Sequence, residues 1–434
     1  EIQRMTQEEF LVRTQETTDE YLTNAYCAEP VKIRTSDGRL MTTLCEDVFS
    51  LANLEIQTLQ ENLSKQSDLF LLAINVIFSR MHLRQVQYRD TFLHDFDSCC
   101  AASNDFIHMS EQMEEVTSRL LETSELSEES ATAIREITAE LIVLYGNDAI
   151  YAAQSVHVHV FEPIRHAISD DLFGWEWEDK LTRNELALTL VRTVDDFMSD
   201  LKKCMGDFLL KKTLDALIPA STMFYLRCLL RKATIKRHNR VIHFFNNEKA
   251  LGRMQGDIET MQEYFDSFLY AFPPLKRVID AEFGILRAVH EIMKAANDNS
   301  CGDAFDPILL LHKQLLDVSI TNQLVIDLWG LVDPKNEEKL KKFLKLIMPK
   351  LRKITPQPTD DVARSLENRP KILGLRLNEV IKRVASDDRG IGWRQRMRHD
   401  VQNMCGVHGN GCNCNSMCLN PRDFVEIMYS IPAK

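Results

Sequence analysis

Glycine and proline are scarce, at 15 and 13 residues in a chain of 434. Their combined share is about half that of an average globular protein, which excludes a fold of many short strands joined by turns. The glycine period of collagen is missing, and 44% apolar residues is too many for a disordered chain. No uncharged apolar run reaches the roughly 20 residues of a spanning helix. Leu69–Phe78 and Ala149–Phe161 fall short, and Val401–Pro421 is uncharged but full of Asn and Gly. A signal peptide and an initiating Met are both lacking, which reads as a piece of a longer intracellular protein. The cysteine count is 11, an odd number, with seven scattered through apolar segments. Free thiols of that kind behave as small hydrophobes in a reducing compartment, so a disulfide scaffold is excluded.

Charge is present but unevenly placed. The chain carries a net −12, yet residues 335–434 hold 20 Lys/Arg against 11 Asp/Glu, leaving −21 on residues 1–334. An acidic body with a basic end suits protein or membrane-surface partners. The basic stretches have few interleaved aromatics, so nucleic acid is not expected as a partner.

What fills the chain is helical periodicity. Leu190, Val194, Phe197, Leu201, Met205, Phe208 and Leu209 step by three and four along one face, predicting a long helix. Met254, Ile258, Met261, Phe265, Phe268 and Leu269 repeat the pattern, as do Phe283, Leu286, Val289 and Met293. Start signals accompany these runs. Thr6–Glu9 and Thr182–Glu185 have capping-box spacing, Ser127 precedes two acids, and Asp306-Pro307 and Asp333-Pro334 place an acid before proline. A helix of about 30 residues is roughly 45 Å long, and one apolar stripe obliges it to pack beside others. The predicted class is all-α, an elongated rod of stacked antiparallel helical bundles. Polar breaks at Ser169–Lys180, Asn297–Asp306 and Thr355–Asp361 divide it into a bundle over 1–180, a second over 181–334, and basic helices with a Cys-rich tail over 335–434. Val31–Arg34, ahead of Ser36-Asp37-Gly38-Arg39, is the one strand-like piece and predicts a small hairpin or an extended loop.

Catalytic motifs are missing. There is no phosphate-binding or dinucleotide glycine loop, no Gly-x-Ser-x-Gly elbow and no His-Glu-x-x-His, so neither an enzyme nor a cofactor is expected. His157 and His159 lie two apart, which on a helix points them about 200° away from each other. The acid pairs Asp170-Asp171, Asp195-Asp196 and Asp360-Asp361 read as solvated. The tail alone concentrates soft ligands: Cys405, His408, Cys412, Cys414 and Cys418. Four of the five could close a structural zinc site, making a metal-stabilised interaction module. The spacing holds no C-x-x-C pair, and a redox-exposed loop is the competing reading. Lys339–Lys353 sets Leu340, Phe343, Leu344, Ile347 and Leu351 on one face among basic residues. That pattern fits either a packed terminal helix or a contact with anionic membrane. Phe244-Phe245, Phe272-Pro-Pro, Trp175 and Trp177 are apolar groups outside the periodic runs, as interface anchors or bundle-end packing would be.

Several segments in order carry a family resemblance. They are Ser36–Thr43, Val86–Leu93, Ala102–Ile107, Leu188–Met198, Arg253–Phe265, Asp280–Met293 and Leu324–Pro334. Together, over roughly residues 1–335, they resemble the C-terminal part of the Sec-six family, exocyst complex component 3. The resemblance implies a non-enzymatic rod of the multisubunit tethering (CATCHR) class, without cofactor. It implies docking of secretory vesicles at the plasma membrane before SNARE-driven fusion, from a cytoplasmic, peripherally recruited position. The partners it implies are other exocyst subunits together with SNARE and Sec-one/Munc-eighteen-type proteins. A Munc-thirteen-like priming or scaffold rod would share the same fold physics. The basic, Cys-rich end has no counterpart in the family pattern.

Overall fold

The computed structural model describes residues 2–354 apart from residues 30, 64–65, 124–125, 181–183, 235, 238–239, 242 and 316–317. Helices dominate, as the scarcity of turn formers requires. The chain divides into two compact units.

The first unit takes residues 2–156 and Leu201–Leu210. It contains α1 (Ile2–Cys27), β1 (Lys32–Arg34), β2 (Leu40–Thr42), α2 (Leu44–Leu63), α3 (Ser67–Tyr88), α4 (Phe96–Thr123) and most of α5 (Glu128–Ile168). Helix α1 packs on α2 and α3, and α2 also on α4. Of the two readings open for Val31–Arg34, the hairpin is the one that forms: β1 and β2 pair antiparallel with Ile33 opposite Met41. Its turn depends on Gly38, whose φ of 88° lies where a side chain is strained. Helix α4 holds the hairpin in place. Asp105 accepts from the Thr42 N–H at 2.9 Å and its hydroxyl at 2.6 Å, while Asn104 Nδ2 donates to Leu40 O and Cys204 O, both at 2.8 Å. Ser127 caps α5 by accepting from the Ser130 N–H at 3.1 Å, as predicted.

Asp68–Phe92 is the one stretch among the described residues long and apolar enough to cross a membrane. Here it serves as core. Leu69, Phe70, Ile74, Ile77, Phe78 and Met81 are buried, α3 packs on α1 and α2, and Arg80 and Arg84 pair with Asp19 at 3.6 and 3.1 Å.

The second unit takes His157–Asp200 and residues 211–354. Its elements are the end of α5, most of α6 (Glu185–Cys204) and α7 (Asp207–Thr234), and the short pair β3 (Lys236–Arg237) and β4 (Arg240–Val241). They continue with α8 (Asn247–Asp266), α9 (Leu275–Asn297), α10 (Phe305–Leu315), α11 (Val318–Val332) and α12 (Glu337–Ile354). Helix α9 packs on α8, α10 and α11, and α12 on α10 and α11. Phe283, Leu286, Val289 and Met293 are all buried, as their spacing requires.

Three local expectations are corrected. The apolar run from Leu190 to Leu209 is two helices, broken at Met205-Gly206. At the junction Asn104 Nδ2 donates to Cys204 O, the last carbonyl of α6, at 2.8 Å. Thr6–Glu9 lies inside α1, which starts at Ile2. Asp306 falls in the first turn of α10, which starts one residue before it. Asp333 does cap, accepting from the Lys335 N–H at 3.2 Å.

Candidate functional site

Asp105, Asp148 and Asp257 each occupy a position where the helical period demands an apolar side chain. All three are buried, so each needs partners. The partners show that these are structural clamps.

In the first unit a chain of side-chain bonds joins α1, α3 and α5. Tyr26 OH donates to Gln85 Oε1 at 2.8 Å, Gln85 Nε2 to Asp148 Oδ2 at 2.8 Å, and Arg89 Nη1 to Asp148 Oδ1 at 3.1 Å. The guanidinium also lies 4.5 Å from the Tyr151 ring centroid. Burial raises the Asp148 carboxyl more than Arg89 lowers it. Burial works against the Arg89 charge as well, but Asp148 and Asp90 outweigh it and hold the guanidinium above its ordinary value.

In the second unit the break after α5 folds into an aromatic knot. One π-helical turn, Glu176–Lys180, turns Trp177 inward. Its indole lies 4.8 Å from the Phe173 ring and 6.2 Å from Phe244, and Phe173 lies 4.8 Å from Tyr225. Asp257 Oδ2 accepts from Trp177 Nε1 at 2.9 Å and from Tyr225 OH at 3.0 Å. Phe173 sits at φ 63°, a left-handed conformation costly for a bulky residue. Lys232 Nζ holds it by donating to Phe173 O at 2.7 Å, and the turn is so tight that a Cβ on the following Gly174 would meet Asp171 O at 2.9 Å. Lys232 also approaches Glu178 at 3.5 Å and the Phe244 ring at 4.2 Å, and burial pulls its ammonium below the usual lysine range.

Burial pushes the Asp257 carboxyl up to about 6, against the opposing pull of Trp177 and Tyr225. The unfolded chain therefore releases this proton near pH 4 while the folded chain keeps it until about pH 6. The folded state loses stability as pH rises through that window, by about 2 kcal/mol between pH 4 and 7. Asp257→Asn removes the titration and keeps an oxygen acceptor. Urea melts should show wild type losing about that much relative to the variant over the range. Parallel curves would refute the assignment.

The two aromatic pairs read as anchors or bundle-end packing are split. Trp177 and Phe244 are buried, whereas Trp175 is 56% and Phe245 81% exposed, both beside the knot in sequence. Phe272 is half-buried in the turn before α9, next to exposed Pro273 and Pro274. His157 is buried in α5 and His159 half-buried. Asp170, Asp171, Asp195 and Asp196 are exposed, as expected. The five tail ligands, Cys405, His408, Cys412, Cys414 and Cys418, and the pair Asp360-Asp361 lie outside the described residues, as do Thr182 and Arg183. Among the described residues no group of three or more His, Cys, Asp or Glu is placed to hold a metal. Asp105, Asp148 and Asp257 belong to no catalytic or ligand motif. An acid falling in phase with an apolar stripe is the signal that marks them.

The fold and its buried clamps define a helical-bundle scaffold whose polar groups hold elements together. The family model for exocyst complex component Sec6 matches residues 4–313, and the chain belongs to that family, whose members are subunits of a vesicle-tethering complex. The chain also resembles the crystal structure of the C-terminal domain of the exocyst subunit Sec6p. The TM-score is 0.64 at 13% identity, over 84% of this chain and 93% of that one, a likeness of fold. No curated protein matches the chain.

Proposed function

We propose that this chain acts within an assembled exocyst to dock secretory vesicles at the plasma membrane before SNARE-mediated fusion. In this role it is cytoplasmic and recruited peripherally to sites of secretion. Its partners are other exocyst subunits, with SNARE and Sec-one/Munc-eighteen-type proteins as further contacts. The observation that carries the reading is family membership over residues 4–313. Two features support it. The buried carboxylates hold helices, a hairpin and a turn together in a rigid scaffold, and Trp175 and Phe245 are exposed aromatics of the kind enriched where protein partners dock.

The test is affinity capture of the full chain from a secreting cell, with quantitative mass spectrometry of what comes with it. Other exocyst subunits are expected in near-stoichiometric amount, and capture without any of them would overturn the proposal.

A further inference from the structure

Six of the nine net positive charges in residues 335–434 fall within residues 335–354. From Lys339 to Ile354 there are six lysines, one arginine and no acid. This stretch lies beyond the residues that the family model matches. The structure shows how α12 uses them. Leu340, Leu344, Ile347 and Leu351 are buried and step by four, three and four along one line. At the C-terminal end His312 Nε2 hydrogen-bonds Leu351 O at 3.0 Å, fixing the last turn onto α10. The line on the opposite side of the helix is Lys342, Leu346, Pro349 and Lys353, again spaced by four, three and four, and all exposed. Lys345 and Arg352 flank it and are exposed as well.

Lys341 is engaged by Glu337 at 2.7 Å, Lys339 by Asn299 and Lys350 by the Phe305 ring. Lys342, Lys345, Arg352 and Lys353 have no acidic partner among the described residues. They spread over roughly 17 Å of helix. Near the middle of this row Leu346 is 75% exposed, an apolar side chain that, with Pro349, stands among cations.

We infer that the outer face of α12 is a docking surface for an anionic lipid bilayer, with Leu346 entering the headgroup–acyl boundary among lysines that meet lipid phosphates and carboxylates. Three observations favour a bilayer over an acidic protein. Three of the four free cations are lysine, a flexible and hydrated point charge, whereas specific carboxylate recognition uses the planar arginine fork. They are spread along the outward side of one helix, which matches a continuous sheet of headgroups. Leu346 lies at the level of the lysine stems, so the cations reach outward past it as the apolar group inserts. The inference concerns a surface outside the family match and stands apart from the assembly reading. Failure of lipid binding leaves the capture of exocyst subunits intact, and failed capture leaves the lipid measurement intact.

The test is co-flotation of the full chain with vesicles of phosphatidylcholine alone, or with about one-third phosphatidylserine, at about 0.15 M salt. Binding is expected only to the acidic vesicles, and weakens as salt is raised. Each cation removed should lower partitioning about fivefold, so Lys342→Gln/Lys345→Gln/Arg352→Gln/Lys353→Gln should reduce it by more than about a hundredfold. Leu346→Ser should lower it about tenfold. The exposed pair Lys276→Gln/Arg277→Gln on α9 should leave it within about twofold. All these side chains are exposed, and circular dichroism confirms that each variant keeps its helices. Equal binding to neutral vesicles, or none to acidic ones, overturns the inference. Undiminished binding by the fourfold variant also overturns it and assigns the affinity elsewhere in the chain. Capture of an acidic protein through α12 with no vesicle binding identifies that protein as the occupant and equally overturns it.

Discussion

Asp148→Ala is expected to destabilise the protein by about 3–4 kcal/mol. The truncation strips two donors at once. Gln85 is fully buried and loses the acceptor of its Nε2, and Arg89 loses the partner at 3.1 Å that offsets its burial. Arg89 retains Asp90 at 3.0 Å and the Tyr151 ring, which keeps the loss below that of a wholly stranded charge. The network thus predicts non-additivity. Arg89→Leu with Asp148→Ala should cost less than the two single changes combined, by at least about 1 kcal/mol. A denaturation cycle measures this. Additive costs would mean that the bond contributes nothing and that each side chain acts through packing alone.

Trp177→Ala should have a comparable or larger effect, about 3–5 kcal/mol. The indole is buried against Phe173 and Phe244, so its removal leaves a large void among aromatics. It also removes one of the two donors that Asp257 Oδ2 accepts, which raises the cost of the buried carboxylate further. Trp177→Phe separates these contributions. It refills most of the volume and lacks the donor, so it should cost about 1–2 kcal/mol and raise the pH at which Asp257 titrates. If both variants melted like wild type, the knot would not be a core.

The all-α class was legible because period and composition agree. The stripe of α9 states which residues face inward without reference to anything distant. The hairpin was legible for a similar reason, since Gly38 sits where a turn needs a positive φ. What escaped the sequence depends on partners far along the chain. The division between α6 and α7 is invisible to periodicity, because Met205, Phe208 and Leu209 continue the phase of Leu201. The end of α6 is satisfied by Asn104, 100 residues from Cys204 in sequence. Phe208 accordingly ends 55% exposed on α7.

The candidate surfaces were legible as pairs of residues and not as orientations. Trp175/Trp177 and Phe244-Phe245 were visible as aromatics outside the stripes. Which member turns inward is decided by Asp257, 80 residues beyond Trp177, and by Lys232. The basic face of α12 was readable in its charges and its inner stripe. That Leu346 stands outside was fixed only when α10 and α11 claimed the other side of the helix.

Position 173 constrains how this chain can change over generations. Its backbone, at φ 63°, would favour glycine or asparagine, while the space between Trp177 and Tyr225 requires a large ring. A substitution that relieves the backbone empties the knot, whereas one that keeps an aromatic ring adds no strain beyond what phenylalanine already carries. Tolerated change at this site is therefore confined to other large rings, and glycine or asparagine, the residues its backbone would favour, are closed to it.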